Sequence, residues 1–167
     1  MGTCPPNYYK HTPTRRCVQF CPYGYYLNTL LSLCVVRANC PSSTPYADNL
    51  THLCTSSCSN KQFGYLATGT TTGGTCVYTC TTGFFSNPRT GKCATSCPSG
   101  LFSNTVNNTC SSTCPYNLFM DSVNNKCVGQ CPSANNLYAD LYNRSCVTDC
   151  DPDKFTFADD LTRNCEE

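Results

Sequence analysis

The chain is 167 residues long, carries a net charge of +1 with only 13% charged residues, and contains 18 cysteines. Charge this sparse, with no basic run or acidic tail, gives nucleic acid no electrostatic footprint. No stretch approaches the roughly 20 apolar residues of a membrane span, since the longest apolar cluster, near Leu27 to Val36, is interrupted by polar residues and by Cys34.

The cysteines set a period along the chain. They bracket repeats at 4–17, 21–34, 40–54, 58–76, 80–93, 97–110, 114–127, 131–146 and 150–165, with spacers of mostly three residues between them. Residues 1–167 thus read as a single repeat array in which each unit contacts mainly its neighbours. Met1 to Cys4 has no signal-peptide core, and Glu166-Glu167 reads as the start of another spacer, so a longer parent array is expected.

Each repeat reads as a small hairpin. Cys-Pro opens it, because proline fixes φ and tolerates an edge position; Gly or Asn then supplies a permissive turn. An aromatic follows, and two residues later comes Asn or Asp, which starts the reversal by bonding its own backbone. The pairs are Tyr26/Asn28, Tyr46/Asp48, Phe85/Asn87, Phe102/Asn104, Phe119/Asp121, Tyr138/Asp140 and Phe157/Asp159. The first repeat has Tyr9 with His11, and the fourth Tyr65 with Ala67. A hairpin this small cannot bury its own core, so the aromatics are expected to pack between units against the next disulfide. With sheets stacked at roughly 10 Å per repeat, the array would reach about 90 Å.

Cysteines four apart in extended chain sit at about 13 Å between Cα atoms, beyond the roughly 7 Å disulfide limit. The two ends of one hairpin lie opposite each other. The expected pairs are therefore Cys4/Cys17, Cys21/Cys34, Cys40/Cys54, Cys58/Cys76, Cys80/Cys93, Cys97/Cys110, Cys114/Cys127, Cys131/Cys146 and Cys150/Cys165. Each closes a loop of about 14 residues, a constraint of around 3 kcal/mol by the chain-entropy model. The fold class is a small disulfide-rich β protein: an elongated tandem array of short hairpins, one disulfide per repeat, with little helix. Disulfides at this density belong to an oxidising compartment, which places the chain outside the cell or at its surface.

Cys17-Val18-Gln19-Phe20-Cys21-Pro22-Tyr23-Gly24 and Cys127-Val128-Gly129-Gln130-Cys131-Pro132 resemble furin-like cysteine-rich repeats. Such repeats occur in growth-factor-receptor ectodomains and in surface arrays of ciliates and other protists. The resemblance covers the whole chain and implies single-disulfide loops stacked into a rod. The Asn-, Thr- and Ser-rich background is more similar to the protist arrays. The fourth, eighth and ninth repeats depart by insertion, and the Cys34-to-Cys40 spacer holds five residues.

Three N-glycosylation sequons begin at Asn49, Asn107 and Asn143, on the return limb of their hairpins. Asp151, Asp153, Asp159 and Asp160 crowd the ninth repeat without an EF-hand spacing. The cysteine spacing is not that of a zinc site. His11 and His52 read as exposed turn residues outside any nucleophile motif. No catalytic residue, cofactor or metal is assigned, and the chain is not expected to be an enzyme. The leading expectation is an extracellular structural repeat protein, a glycosylated rod or fibre of a cell surface or secreted coat, partnered by itself or by other coat proteins. The alternative is a ligand-binding or stalk segment of a receptor-like surface protein, with Lys61, Phe63, Tyr65 and the Thr/Gly-rich loop of the fourth repeat as contact surface.

Overall fold

The computed structural model describes residues 3–154 and 156–166. Met1, Gly2, Phe155 and Glu167 lie outside the described residues, and with them part of the basis for expecting a longer array. The regular structure of the rest consists of strands two to four residues long and short 3-10 turns. It is the small disulfide-rich β fold that the spacing implies, with one disulfide in each repeat.

Each repeat opens on a tight turn. In most repeats the carbonyl of the residue after the first cysteine accepts a backbone N–H three residues on, as in Tyr25 N–H to Pro22 (2.9 Å), Leu101 to Pro98 (3.0 Å) and Leu118 to Pro115 (2.9 Å), with Ser59 and Thr81 in the proline's place in the fourth and fifth repeats. Gly24, at φ 82°, and Gly100, at φ 77°, take the left-handed corner that a β-carbon would strain. An outgoing strand of two to four residues follows, and in most repeats Asn or Asp at its end caps the reversal. The carboxylate or amide Oδ1 of Asn28, Asp48, Asn104, Asp121, Asp140 and Asp159 accepts the backbone N–H two residues on, at 2.7–3.1 Å. Two of these side chains, Asp48 and Asp121, are among the most buried of the chain.

The chain divides into two compact units, with the division inside the fifth repeat: Met1–Cys80 with Pro88–Cys93, and Thr81–Asn87 with Ala94–Glu167. In the first unit, the outgoing strands Tyr9–His11, Tyr25–Asn28, Tyr46–Asp48 and Phe63–Tyr65 pair antiparallel with the return strands Arg16–Val18, Leu33–Val36, Leu53–Thr55 and Gly74–Val77. Every outgoing strand also pairs, in parallel, with the return strand of the next repeat: Lys10 with Leu33, Leu27 with Leu53, Ala47 with Thr75, Gly64 with Lys92. The second unit follows the same rule, with Ser86 opposite Thr109, Ser103 opposite Lys126, Met120 opposite Ser145 and Ala139 opposite Asn164. Within each unit the hairpins therefore lie edge to edge, the ninth forming a two-stranded sheet of its own that meets the eighth through the Ala139–Asn164 bridge. The expected face-to-face stacking is replaced by edge pairing, which satisfies backbone groups that a stack would leave to solvent. The advance per repeat is two strand spacings of roughly 4.8 Å.

Register then decides which face each disulfide occupies. Inside a hairpin the middle residue of the outgoing strand stands opposite the second cysteine, as Leu27 does Cys34 and Ala47 does Cys54. Between hairpins the same middle residue stands opposite the residue just before the next second cysteine. Side chains alternate along a strand, so the one-residue offset puts successive disulfides on opposite faces. The aromatic and the Asx residue of one repeat share a face with the disulfide of the following one.

One local expectation is corrected here. In the fourth repeat Gly64 is opposite Cys76, with Phe63 opposite Val77 and Tyr65 opposite Thr75. Phe63 thus holds the aromatic position and Tyr65 the Asx position, not Tyr65 and Ala67; the longer loop of this repeat had hidden the frame. The five-residue Cys34-to-Cys40 spacer forms a 3-10 turn over Arg37–Asn39. That turn takes up its two extra residues.

Candidate functional site

The most repeated constellation is the joint between neighbouring repeats. One residue near the end of each hairpin tip adopts the left-handed conformation: Arg15, Ser32, His52, Gly73, Gly91, Asn108, Asn125, Arg144 and Arg163, all at φ 50–76°. Its carbonyl is turned sideways toward the preceding repeat. It accepts the middle N–H of that repeat's outgoing strand in Leu27 to His52 (2.8 Å), Gly64 to Gly91 (2.9 Å), Ser103 to Asn125 (2.9 Å), Met120 to Arg144 (2.9 Å) and Ala139 to Arg163 (2.8 Å). The sequence reading missed this position. Its only signal is a place two residues before the second cysteine (three in the fourth repeat, at Gly73) that tolerates Gly and Asn but equally holds Arg and His.

Packing follows the hydrogen bonds. Tyr26 clusters with Cys40, Ala47 and Cys54 of the next repeat; Phe85 packs on Cys97 and Cys110; Phe102 joins Cys114 and Cys127; Phe119 lies against Cys131 and Cys146. Covering an aromatic of this size is worth several kcal/mol, more than a lone hairpin supplies.

Side chains at the left-handed position reach back over the joint. His52 stacks on Tyr26 with ring centroids 6.3 Å apart. The Arg163 guanidinium lies 4.4 Å from the Tyr138 ring centroid. That of Arg144 lies 5.3 Å from the Tyr116 ring and donates to the carbonyls of Cys114 (3.0 Å), Pro115 and Leu118 (3.3 Å). Across the same eighth-to-ninth joint the Tyr138 hydroxyl donates to Asp160 at 2.5 Å. Giving up that proton would set a phenolate beside a carboxylate, so the Tyr138 phenol is held above its ordinary range.

The disulfides are Cys4–Cys17, Cys21–Cys34, Cys40–Cys54, Cys58–Cys76, Cys80–Cys93, Cys97–Cys110, Cys114–Cys127, Cys131–Cys146 and Cys150–Cys165, with Cα–Cα distances of 5.5–5.8 Å. The sequon asparagines Asn49, Asn107 and Asn143 are all exposed. They sit in the hairpin tips, ahead of the return strands Leu53–Thr55, Thr109–Ser111 and Ser145–Val147, rather than on the return limbs. Asn49 accepts the Tyr26 hydroxyl at 2.5 Å, Asn107 accepts the Thr109 hydroxyl at 2.6 Å, and the Asn143 amide donates to Asp140 at 2.7 Å.

The histidines differ from expectation. His11 is buried, because it fills the Asx position of the first repeat; its Nδ1 bonds the Thr14 hydroxyl at 2.8 Å and its ring meets Tyr25 edge-on. His52 is half-buried by its stacking on Tyr26. The ninth-repeat carboxylates are spread over separate local roles. Asp151 pairs with Lys154 (3.6 Å) and caps Asp153 N–H (3.0 Å), Asp160 serves Tyr138, and the Asx-turn N–H of Leu161 holds the Asp159 carboxyl below its usual range. Among the described residues no group of three or more His, Cys, Asp or Glu is placed to hold a metal ion, and no helix is long and apolar enough to cross a membrane.

Phe63 and Tyr65 of the fourth repeat are half-buried, while Lys61 and the loop at 67–71 are exposed. Tyr23, Phe20 and Tyr116, all near the Cys-Pro turns, are more exposed than any of these aromatics. No protein-family model, curated protein or solved structure matches this chain.

Proposed function

We propose that this chain is part of an extracellular structural repeat protein, a glycosylated array of furin-like type that builds a fibre or coat at a cell surface. The observation that carries the reading is the repeated joint, in which one backbone bond, one aromatic and one disulfide recur from repeat to repeat within each unit. In that joint the buried Asn28, Asp48, Asn104, Asp121 and Asp140 cap turns, and the cysteines are all bonded. Nine disulfides fit the oxidising side of the secretory pathway. Sugars at Asn49, Asn107 and Asn143 would project from the hairpin tips, clear of the joints, and the exposed aromatics near the Cys-Pro turns offer area for lateral packing. The chain has no catalytic role in this reading.

Negative-stain imaging of native, non-reduced material tests it. Continuous filaments or ordered sheets of copies support the structural role, and a mass shift on glycosidase treatment supports the sugars. Isolated particles that capture a different protein would favour the second reading, a ligand-binding or stalk segment. The exposed 67–71 loop of the fourth repeat favours that alternative.

A further inference from the structure

The fourth repeat differs from the others in its tip. In the first three repeats and in the fifth to eighth, four residues join the two strands, as 29–32 join Asn28 to Leu33; here eight, 66–73, join Tyr65 to Gly74. The base of this loop rests on a neighbour, since a β-carbon on Gly73 would stand 3.5 Å from the Ala38 Cα in the Arg37–Asn39 turn. Beyond the base the chain is open. Ala67, Thr68, Gly69, Thr70 and Thr71 are all exposed, and nothing lies within 4 Å of where a β-carbon on Gly69 would stand.

The threonines here are of two kinds. Thr70 closes a tight turn, its N–H and its hydroxyl both donating to the Ala67 carbonyl, at 3.1 and 2.8 Å. The Thr75 hydroxyl donates across the joint to the Ala47 carbonyl at 3.4 Å. Thr68, at the corner of the turn, and Thr71, just past it, are different. Both are exposed, and neither hydroxyl has a protein partner among the described residues. Composition narrows what they can serve. No charged residue occurs from Gln62 to Pro88, and no acidic residue between Asp48 and Asp121. The loop thus offers a charged ligand nothing of its own to pair with, while its hydroxyls remain free to react.

We propose that Thr68 and Thr71 carry O-linked sugar, placed there by a glycosyltransferase from a nucleotide-activated donor. Each Oγ1 attacks the anomeric carbon of the donor sugar. The bond from that carbon to the diphosphate breaks as the bond to Oγ1 forms, the hydroxyl proton passes to the transferase's base, and the nucleoside diphosphate leaves. Nothing is oxidised or reduced. The small neighbours Ala67 and Gly69 leave room for the enzyme and for the sugar, and an exposed loop tip of small polar residues accepts the addition without disturbing the strands. The inference goes beyond the structural reading and shares with it only the secretory route. A sugar here would cover the surface that the ligand-binding alternative uses, so the two make opposite demands on the loop.

Mass spectrometry of the native chain tests the assignment. After reduction, alkylation and trypsin, residues 62–89 leave as one peptide, because Lys61 and Arg89 bound a stretch without lysine or arginine. That peptide holds no Asn-x-Ser/Thr sequon, so any sugar on it survives an N-glycosidase. The expected result is a peptide heavier by whole sugar residues, which fragmentation places on Thr68 and Thr71. In a secreted chain carrying Thr68→Val and Thr71→Val together, the added mass should be lost with the melting temperature unchanged, whereas Thr70→Val should keep it. A peptide found only at its bare mass, sugar confined to Thr79, Thr81 or Thr82 outside the loop, or added mass retained by the double variant overturns the proposal. The N-linked sugars and the filaments are tested separately, by glycosidase and by imaging, and stand or fall on their own.

Discussion

Phe102 and Tyr46 occupy the same place in their repeats, and the chain buries them in different ways. Phe102 lies against the Cys114–Cys127 disulfide with Leu118 and Met120 around it. Tyr46 lies on the fourth repeat, where a β-carbon on Gly64 would come within 2.6 Å of the ring, and one on Gly74 within 2.8 Å of it. Leu118 and the adaptable Met120 close on an aromatic in one joint; in the other, room is made by removing side chains altogether. The lesson concerns the fourth repeat, whose unusual composition invites a functional reading. Its strand glycines are accounted for by an internal neighbour, which leaves the exposed loop at 67–71 and Lys61 as its open surface.

This contrast can be broken from either side. Phe102→Ala should have the largest effect, costing about 3–5 kcal/mol of local stability. Because repeats contact mainly their neighbours, the loss should appear as faster hydrogen exchange in the sixth and seventh repeats and not in the first three. Gly64→Ala should come next, at about 1–3 kcal/mol from overpacking against Tyr46. In a Tyr46→Ala background the same substitution should cost almost nothing, and a double-mutant cycle followed by thermal unfolding measures that coupling.

A smaller effect concerns Asp48, which caps the turn beside Tyr46. Burial pushes its carboxyl up, but the Leu50 N–H together with the Ser59 and Thr51 hydroxyls outweighs burial and holds it below the usual range. A lowered folded pKa adds stability that is present above the unfolded value near pH 4 and drains away as pH falls through the folded value. Melting of the third repeat should therefore be acid-sensitive below about pH 4, and Asp48→Asn should flatten that dependence while keeping the turn. Smallest of all, Lys61→Ala, at an exposed side chain, should shift stability by less than about 0.5 kcal/mol. A larger shift would show that the fourth repeat's outer face does pack on something.

Much of the hairpin was legible in the sequence because its causes are local. Proline, glycine and the Asx residues act within three residues of themselves, so Pro22, Gly24 and Asn28 announce their turns without reference to the rest of the chain. The packing of Phe102 on the following disulfide could be argued from the size of the unit, which has no room to bury a ring alone. His11 was misread because an Asx position filled by histidine looks like a turn residue until Thr14 and Tyr25 are seen around it. In the fourth repeat the frame shifted by two residues, since Tyr65 imitates the aromatic that is in fact Phe63. The left-handed residue at each tip was invisible, because side chains as unlike as Gly91, His52 and Arg144 share it and their common property is a backbone angle.

The sequence by itself determined the repeat length, the hairpins with their turn chemistry, and a cysteine density that calls for one bond per repeat. Only the tertiary structure decided how repeats meet: edge to edge, in parallel, offset by one residue so that successive disulfides change face. The physical reason is that this joint is made chiefly by backbone N–H and carbonyl groups, which every residue carries. Their direction depends on conformations such as the left-handed tip, and no side-chain pattern along the chain records it.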